Sequence, residues 1–460
     1  MTQGIYDVVV IGGGPAGYVG AIKAAQLGGK VAIVEKDEFG GTCLNRGCIP
    51  TKTYVKNAEL IHGLAELKSR GVKLGDSSFE LDMKKIVSYK NRVVKKLTGG
   101  IGLLLKTYDI DVFKGIGTIT KDKKVAVDSG EVLETKKIIL AGGSNVARIP
   151  IKGIDNSKVL TSDEILDLQE LPKRLAVVGG GVIGTEIATV FNAYGVEVSI
   201  VHSQEKLLNM VDEELSDELM KAFKKSGIKM LTSSKLVEIE DKGDSVLLHL
   251  EGKDPVEADL VLMAIGRSPN LEGIGEIELE TNRGAIVVNE KMETSVEGIY
   301  APGDVNATLM LAHSASKMAE VAAVNALGGD EVYDGSKTPS CIYTIPEVST
   351  VGLQEKEARE KYSNVGVGKF PFGSNGRALA SGEREGFVKV VTNNDNGEIL
   401  GVHIVGVNAA EMINEAAALI QAGVTAEKLA EMVHAHPTYS ECLMEAAADT
   451  FDKCIHLPKK

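Results

Sequence analysis

The chain has 460 residues, 43% of them apolar, a formal charge of −13, and 51 glycines against 12 prolines. At that length one hydrophobic core does not suffice, so roughly three domains are expected, rich in tight turns rather than disordered linkers. The net negative charge argues against a general nucleic-acid surface, which needs a concentrated basic footprint, and no apolar run reaches the roughly 18 residues of a membrane span.

The N-terminus carries no basic segment leading into a secretory apolar stretch; Tyr6 to Val10 run straight into a glycine turn, and a cytosolic (cytoplasmic) address is expected. That first segment, Asp7-Val-Val-Val-Ile-Gly-Gly-Gly-Pro-Ala-Gly17, reads as a buried strand and a Gly-rich turn, followed by a helix through Tyr18 to Leu27 and a second strand, Lys30 to Glu35. Gly12, Gly14 and Gly17 let the backbone approach a pyrophosphate and let the helix pack close to the strand, while Glu35 is placed to accept hydrogen bonds from ribose hydroxyls.

Next comes Gly40-Gly-Thr-Cys43-Leu-Asn-Arg-Gly-Cys48-Ile-Pro-Thr-Lys52. The other three cysteines, at 341, 442 and 454, are remote, so neither a secreted disulfide scaffold nor a structural zinc site with a second ligand pair is expected; no metal is assigned. Four intervening residues allow Cys43 and Cys48 to meet in a turn or first helical turn. Beside an organic redox cofactor such a pair accepts two electrons, one thiolate exchanging disulfides and the other communicating with the cofactor. Two buried structural cysteines are the plainer alternative.

Strand-like segments at Ile110–Thr120, Lys123–Val127 and Lys136–Ala141 suggest a small sheet and a return to a parallel one, and Pro150 and Pro172 flank a loop-rich crossing. A second nucleotide unit then repeats the first: Arg174-Leu-Ala-Val-Val-Gly-Gly-Gly-Val-Ile-Gly184, with Gly179, Gly181 and Gly184 at the same spacing, a helix over residues 185–194, and a strand at Glu197–Val201. His202 stands where an acid would recognise an unphosphorylated ribose. With Ser203 and Lys206 it offers donors and positive charge suited to a 2′-phosphate, which points towards NADP, with NAD the alternative. A further apolar strand, Ala258–Ile265, ends at Gly266-Arg267, and Gly298-Ile-Tyr-Ala-Pro-Gly-Asp304 presents an acid beyond a turn, suited to a nucleotide or a flavin ribityl group. Near the C-terminus, His434-Ala-His436-Pro-Thr-Tyr-Ser-Glu441 supplies a candidate acid–base group, with Glu441 orienting the His436 imidazole.

Taken in order, the two glycine units, Cys43-Leu-Asn-Arg-Gly-Cys48, Tyr300-Ala-Pro-Gly-Asp304 and the His436/Glu441 segment resemble the pyridine nucleotide–disulfide oxidoreductase family over nearly the whole chain, and within it the dihydrolipoamide dehydrogenases, the flavoprotein E3 components. The resemblance implies an α/β fold with two Rossmann-like domains, for FAD and NAD(P), and a C-terminal mixed α+β dimerisation domain. The implied segments are 1–145 for the first part of the FAD domain, 146–275 for the NAD(P) domain, 276–345 for the FAD-domain return and 346–460 for the interface domain. It implies a homodimer in which each site borrows its base from the partner. Cys43 becomes the exchange thiol and Cys48 the charge-transfer thiol beside FAD; Lys52 lies near the flavin and pairs with Glu186; Glu35 holds the adenosine ribose and Asp304 the ribityl region; His436-Pro437 is a candidate cis peptide.

The implied reaction is oxidation of protein-bound dihydrolipoamide, carried by the lipoyl domain of a 2-oxoacid dehydrogenase E2 component or the lipoylated H protein of a glycine cleavage system. Nucleic-acid and membrane partners are not expected. A glutathione reductase-like enzyme and a non-catalytic assembly component are the alternatives. Three residues depart from the family pattern: Arg46 inside the cysteine motif, His202 in place of the acid, and Ser144 in Ala141-Gly-Gly-Ser144.

Overall fold

The computed structural model describes residues 4–67, 70–73 and 79–459. Tyr6–Ile11 is the centre of a five-stranded parallel sheet because it is apolar on both faces. Its order is Ile299–Tyr300, Thr135–Leu140, Tyr6–Ile11, Val31–Glu35, Asp111–Lys114. The edge strand Ile299–Tyr300 comes from beyond the second unit, which is how the residues before Asp304 return to the first unit. Helix Pro15–Gln26 packs its small residues against helix Ala312–Ala326 on one face of this sheet. The long strand expected over Ile110–Thr120 divides at Gly115 (φ +146°): Asp111–Lys114 stays in the parallel sheet, and Gly117–Ile119 opens a three-stranded antiparallel one.

The second unit has the same plan. Its parallel order is Lys229–Leu231, Glu197–Val201, Arg174–Val178, Leu260–Met263, Val159–Leu160, with a three-stranded antiparallel sheet between its last crossings. Chain entry and exit meet where Ser144–Val146 pairs antiparallel with Arg267–Pro269. Both glycine turns open at the carboxyl ends of their strands, where a doubly wound sheet leaves its ligand crevice.

The C-terminal part is a five-stranded antiparallel sheet ordered Ser340–Ile342, Glu347–Gly352, Glu398–Gly406, Phe387–Asn393, Val365–Pro371, with helices Ala409–Gln421 and Glu441–Asp449 sharing its core. Its first strand lies ahead of residue 346, inside the segment expected to return to the first unit, because Ser340–Ile342 finds its partner in Glu347–Gly352. Among the described residues no helix is long and apolar enough to cross a membrane.

Candidate active site

A cleft of about 1660 Å³ runs between the two glycine turns and past the cysteine segment. Each turn is shaped by the same constraint. Gly12 and Gly179 adopt left-handed conformations (φ +99° and +115°). A Cβ at Gly17 would stand 1.7 Å from the Gly12 carbonyl oxygen, and one at Gly184 would stand 2.0 Å from that of Gly179. Only glycine lets the helix begin there. Gly14 and Gly181 are the N-caps of helices Pro15–Gln26 and Val182–Ala193 and carry no side chain to cover the helix ends, so both ends offer backbone N–H groups to an anion. A Cβ at Gly41 would come to 2.7 Å from the Gly14 Cα, so any larger residue would fill the first cradle. Gly266, left-handed at φ +117°, lines the same cleft.

The residues after the second strand of each unit differ. Glu35 accepts hydrogen bonds from the Gly13 N–H and, at 2.6 Å, from the Asp37 N–H. At the equivalent place His202 Nδ1 accepts from the Gly180 N–H at 3.1 Å, which fixes its proton on Nε2. That Nε2 is buried and has no partner, and burial lowers the imidazole pKa, so the ring is neutral. Ser203 lines the cleft with it. Lys206, expected from sequence to add positive charge there, has its ammonium 2.5 Å from Glu213 and 2.8 Å from Asp217 and is not among the described cleft residues. Ser234 and Lys235, which carry no local motif, also line that corner, with Lys235 Nζ 3.8 Å from Glu251.

The cysteine segment forms helix Gly41–Arg46, a break at Gly47, and the 20-residue helix Cys48–Leu67. Both Cys43 and Cys48 are thiols here and line the cleft. The Cys43 thiol donates to Cys48, which together with burial pushes Cys43 up; the same bond and the nearby Lys52 ammonium outweigh burial at Cys48 and bring it down to about 7. Cys48 also heads a long helix, where the macrodipole favours an anion. Lys52, one turn further along, sits 2.9 and 2.8 Å from the two Glu186 oxygens, tying the redox helix to the second unit. The Tyr343 N–H donates to Glu186 at 2.9 Å, and the Tyr343 ring lies 4.4 Å from the Lys52 ammonium. Arg46 is ion-paired with Asp37, beyond the Glu35 strand.

Asp304 accepts from Ser144 Oγ at 2.6 Å, and Arg267 donates to Ser144 Oγ at 2.7 Å and to its carbonyl at 2.6 Å. Arg267 had a local signal, since it directly follows Gly266, but the Arg267–Ser144–Asp304 chain joins three distant segments. Cys341 also lines the cleft, its thiol pKa raised by burial.

His436 Nδ1 lies 2.9 Å from Glu441 Oε1, and Glu441 Oε2 accepts from the Thr438 N–H at 2.8 Å. Burial works against ionisation of Glu441, but the Thr438 amide and His436 outweigh it and hold the carboxyl below its usual range. His434 is engaged elsewhere, with Glu415 and the Met432 carbonyl. His436-Pro437 is cis. The His436 side chain is 76% exposed, Val433 beside it is 100% exposed, and His436 is not among the described residues lining the cleft of its own chain.

Residues 6–319 match the family described as pyridine nucleotide-disulphide oxidoreductase, and residues 338–447 match its dimerisation domain. The chain therefore belongs to the pyridine nucleotide-disulphide oxidoreductase family, whose members bind FAD and a pyridine nucleotide, and it carries the domain through which they dimerise. It is 41% identical to the mitochondrial dihydrolipoyl dehydrogenase of Pisum sativum, over 98% of this chain and 92% of that one. It is also 41% identical to the dihydrolipoyl dehydrogenase of Thermus scotoductus, over 98% and 99%. Among solved structures, LpdA of Mycobacterium tuberculosis superposes with a TM-score of 0.89 at 27% identity, covering 96% of this chain and 98% of that one.

Proposed function

We propose that this chain is an FAD-dependent oxidoreductase that oxidises protein-bound dihydrolipoyl groups and delivers the electrons to a nicotinamide nucleotide. The observation that carries this is the cysteine pair: two thiols on consecutive helices, lining one cleft between two nucleotide cradles, with Lys52 one turn beyond Cys48.

The first cradle and Glu35, with Asp304 held by Ser144, suit FAD; the second cradle suits the nicotinamide nucleotide. When bound, FAD supplies the two-electron carrier between the thiols and the nicotinamide. The working oxidised state has a Cys43–Cys48 disulfide. His436 Nε2, supplied by a second copy of the chain, takes the proton of one substrate thiol, with Glu441 holding the ring. The substrate thiolate attacks Cys43 Sγ, the Cys43–Cys48 bond breaks, and Cys48 leaves as the thiolate that Lys52 and the helix end favour. The second substrate thiol then attacks the sulfur bonded to Cys43, closing the lipoyl disulfide and releasing Cys43, which takes up a proton. The substrate sits on the lipoyl domain of an E2 component or on a lipoylated H protein, presented to an exposed base that a second chain brings over the cleft.

The 2′ corner of the second cradle holds a neutral His202 with an unpaired Nε2–H and no acid, while the Lys206 charge is engaged elsewhere. No carboxylate in this corner repels a 2′-phosphate, and Lys235, which lines it, already faces Glu251 at 3.8 Å, so kcat/KM for NAD and NADP should differ by no more than about tenfold. Anaerobic mixing of flavin-loaded protein with dihydrolipoamide, and in parallel with glutathione, tests the main assignment. Dihydrolipoamide should reduce the protein within milliseconds to seconds, with a long-wavelength thiolate absorbance that fades as pH falls below about 7, where Cys48 is protonated. Reduction by glutathione but not dihydrolipoamide would overturn it.

A further inference from the structure

Outside the cleft, a buried charge cluster joins the second nucleotide unit to the interface domain. Lys389, on strand Phe387–Asn393, is 2% exposed, and its ammonium lies 3.1 Å from Asp212, 2.8 Å from Glu214 and 2.6 Å from Glu355. Asp212 and Glu214 begin helix Glu213–Lys225 of the nucleotide unit, whereas Glu355 begins helix Glu355–Lys361 of the interface domain. Two further cations support the group: Lys369 donates to Glu214 at 2.8 Å and Arg359 to Glu355 at 2.9 Å. Two bonds reach the same segment from the interface domain, from Gln354 Nε2 to the Met210 carbonyl at 2.9 Å and from the Glu355 N–H to Asp212 at 3.5 Å.

The held segment leads directly into the nucleotide cradle. The Leu208 N–H donates to the Gly180 carbonyl at 2.9 Å, with Leu208 itself left-handed at φ +50°. A Cβ at Gly180 would meet Leu207 at 2.4 Å, so that side chain closes the turn from below. Asn209 and Met210 form part of the cleft wall. From Lys389 to the second glycine turn the path is a single short stretch of backbone, fixed at 212 by the ammonium and at 208 by the turn.

We propose that Lys389 is a positioning residue for the nicotinamide nucleotide: from the interface domain it holds Asp212, and through residues 207–212 it sets the wall of the second cradle. Removing one partner from a buried charge group leaves the rest uncompensated, so the carboxylates would draw apart and carry that wall with them. The proposal rests on the second glycine turn being the nicotinamide-nucleotide site. The cluster's described contacts do not reach the first cradle, so flavin content and reduction by dihydrolipoamide should be unaffected.

The test is binding of ADP-ribose, which occupies the cradle without redox chemistry, to the flavin-loaded protein and its variants by calorimetry. Lys389→Met should raise the Kd roughly five- to tenfold and raise the KM for the nicotinamide nucleotide while flavin reduction by dihydrolipoamide keeps its rate. Lys389→Arg should recover most of the affinity. Gln354→Ser, which keeps a side-chain N-cap for helix Glu355–Lys361 but no longer reaches the Met210 carbonyl, should raise the Kd about twofold, and it decides the matter alone if Lys389→Met does not fold. A lowered Tm with an unchanged Kd would reduce Lys389 to structural cement and overturn the proposal. Failure of the wild-type protein to bind ADP-ribose would instead overturn the nucleotide assignment beneath it.

Discussion

In both glycine turns the amide following the first glycine needs an acceptor, but the first turn finds it in the Glu35 carboxylate and the second in the His202 imidazole. The strand order, the parallel pairing and the close approach of helix to turn are the same in the two units. The fold therefore demands a hydrogen-bond acceptor at that position and is indifferent to its charge. A buried neutral ring satisfies the turn as a carboxylate does, while changing what a ribose would meet there. Structure and specificity are separable at one residue.

The strongest way to break the comparison is to crowd each turn in turn. Gly17→Ala places a methyl 1.7 Å from the Gly12 oxygen, and Gly184→Ala one 2.0 Å from that of Gly179. Overpacking of this kind costs about 1–3 kcal/mol or more where backbone must move. Gly17→Ala should yield protein with little flavin, read from absorbance per chain. Gly184→Ala should keep its flavin and its reduction by dihydrolipoamide but bind nicotinamide nucleotide at least about tenfold more weakly. If either variant lost both functions together, the two cradles would not be independent.

Exchanging the acceptors sharpens the comparison with a smaller effect. Glu35→Gln sets an amide NH₂ against one of the two N–H groups that the carboxylate now receives, at a cost of about 1–3 kcal/mol, or roughly 5- to 150-fold in flavin affinity. His202→Glu should preserve the turn, since a carboxylate accepts from the Gly180 N–H as Glu35 does from Gly13, yet set a negative charge against a 2′-phosphate. The ratio of kcat/KM for NAD over NADP should then rise roughly 10- to 100-fold. An unchanged ratio, with the variant folded, would place nucleotide selection elsewhere.

Both turns were legible in the sequence because everything that makes them is local: an apolar strand, glycines at fixed spacing, a helix and a second strand. The cysteine pair and the His436–Glu441 dyad were legible for the same reason, each lying within a few residues along the chain. What escaped was long-range. Ser144, Arg267 and Asp304 are neighbours only because the crossings between units pair with each other, and Lys389 reads as one more residue of a strand until Asp212 arrives from another domain. The break at Gly115 also escaped, since an apolar run does not reveal where a chain leaves one sheet for another.

Lys206 is the smallest of these tests, and the one that separates charge read from sequence from charge available in space. It follows His202 closely enough to suggest a phosphate ligand, yet helix Glu213–Lys225 turns Glu213 and Asp217 towards it, and both carboxylates raise its pKa. An ammonium so matched has little net field to offer a 2′-phosphate, and surface pairs of this type contribute about 0–1 kcal/mol to stability. Lys206→Ala should therefore change the KM for NADP by less than about twofold and leave that for NAD where it is. A loss of tenfold or more confined to NADP would show that the lysine leaves its two acids when the phosphate arrives, and the second cradle would then differ from the first in carrying a mobile cation as well as a neutral ring.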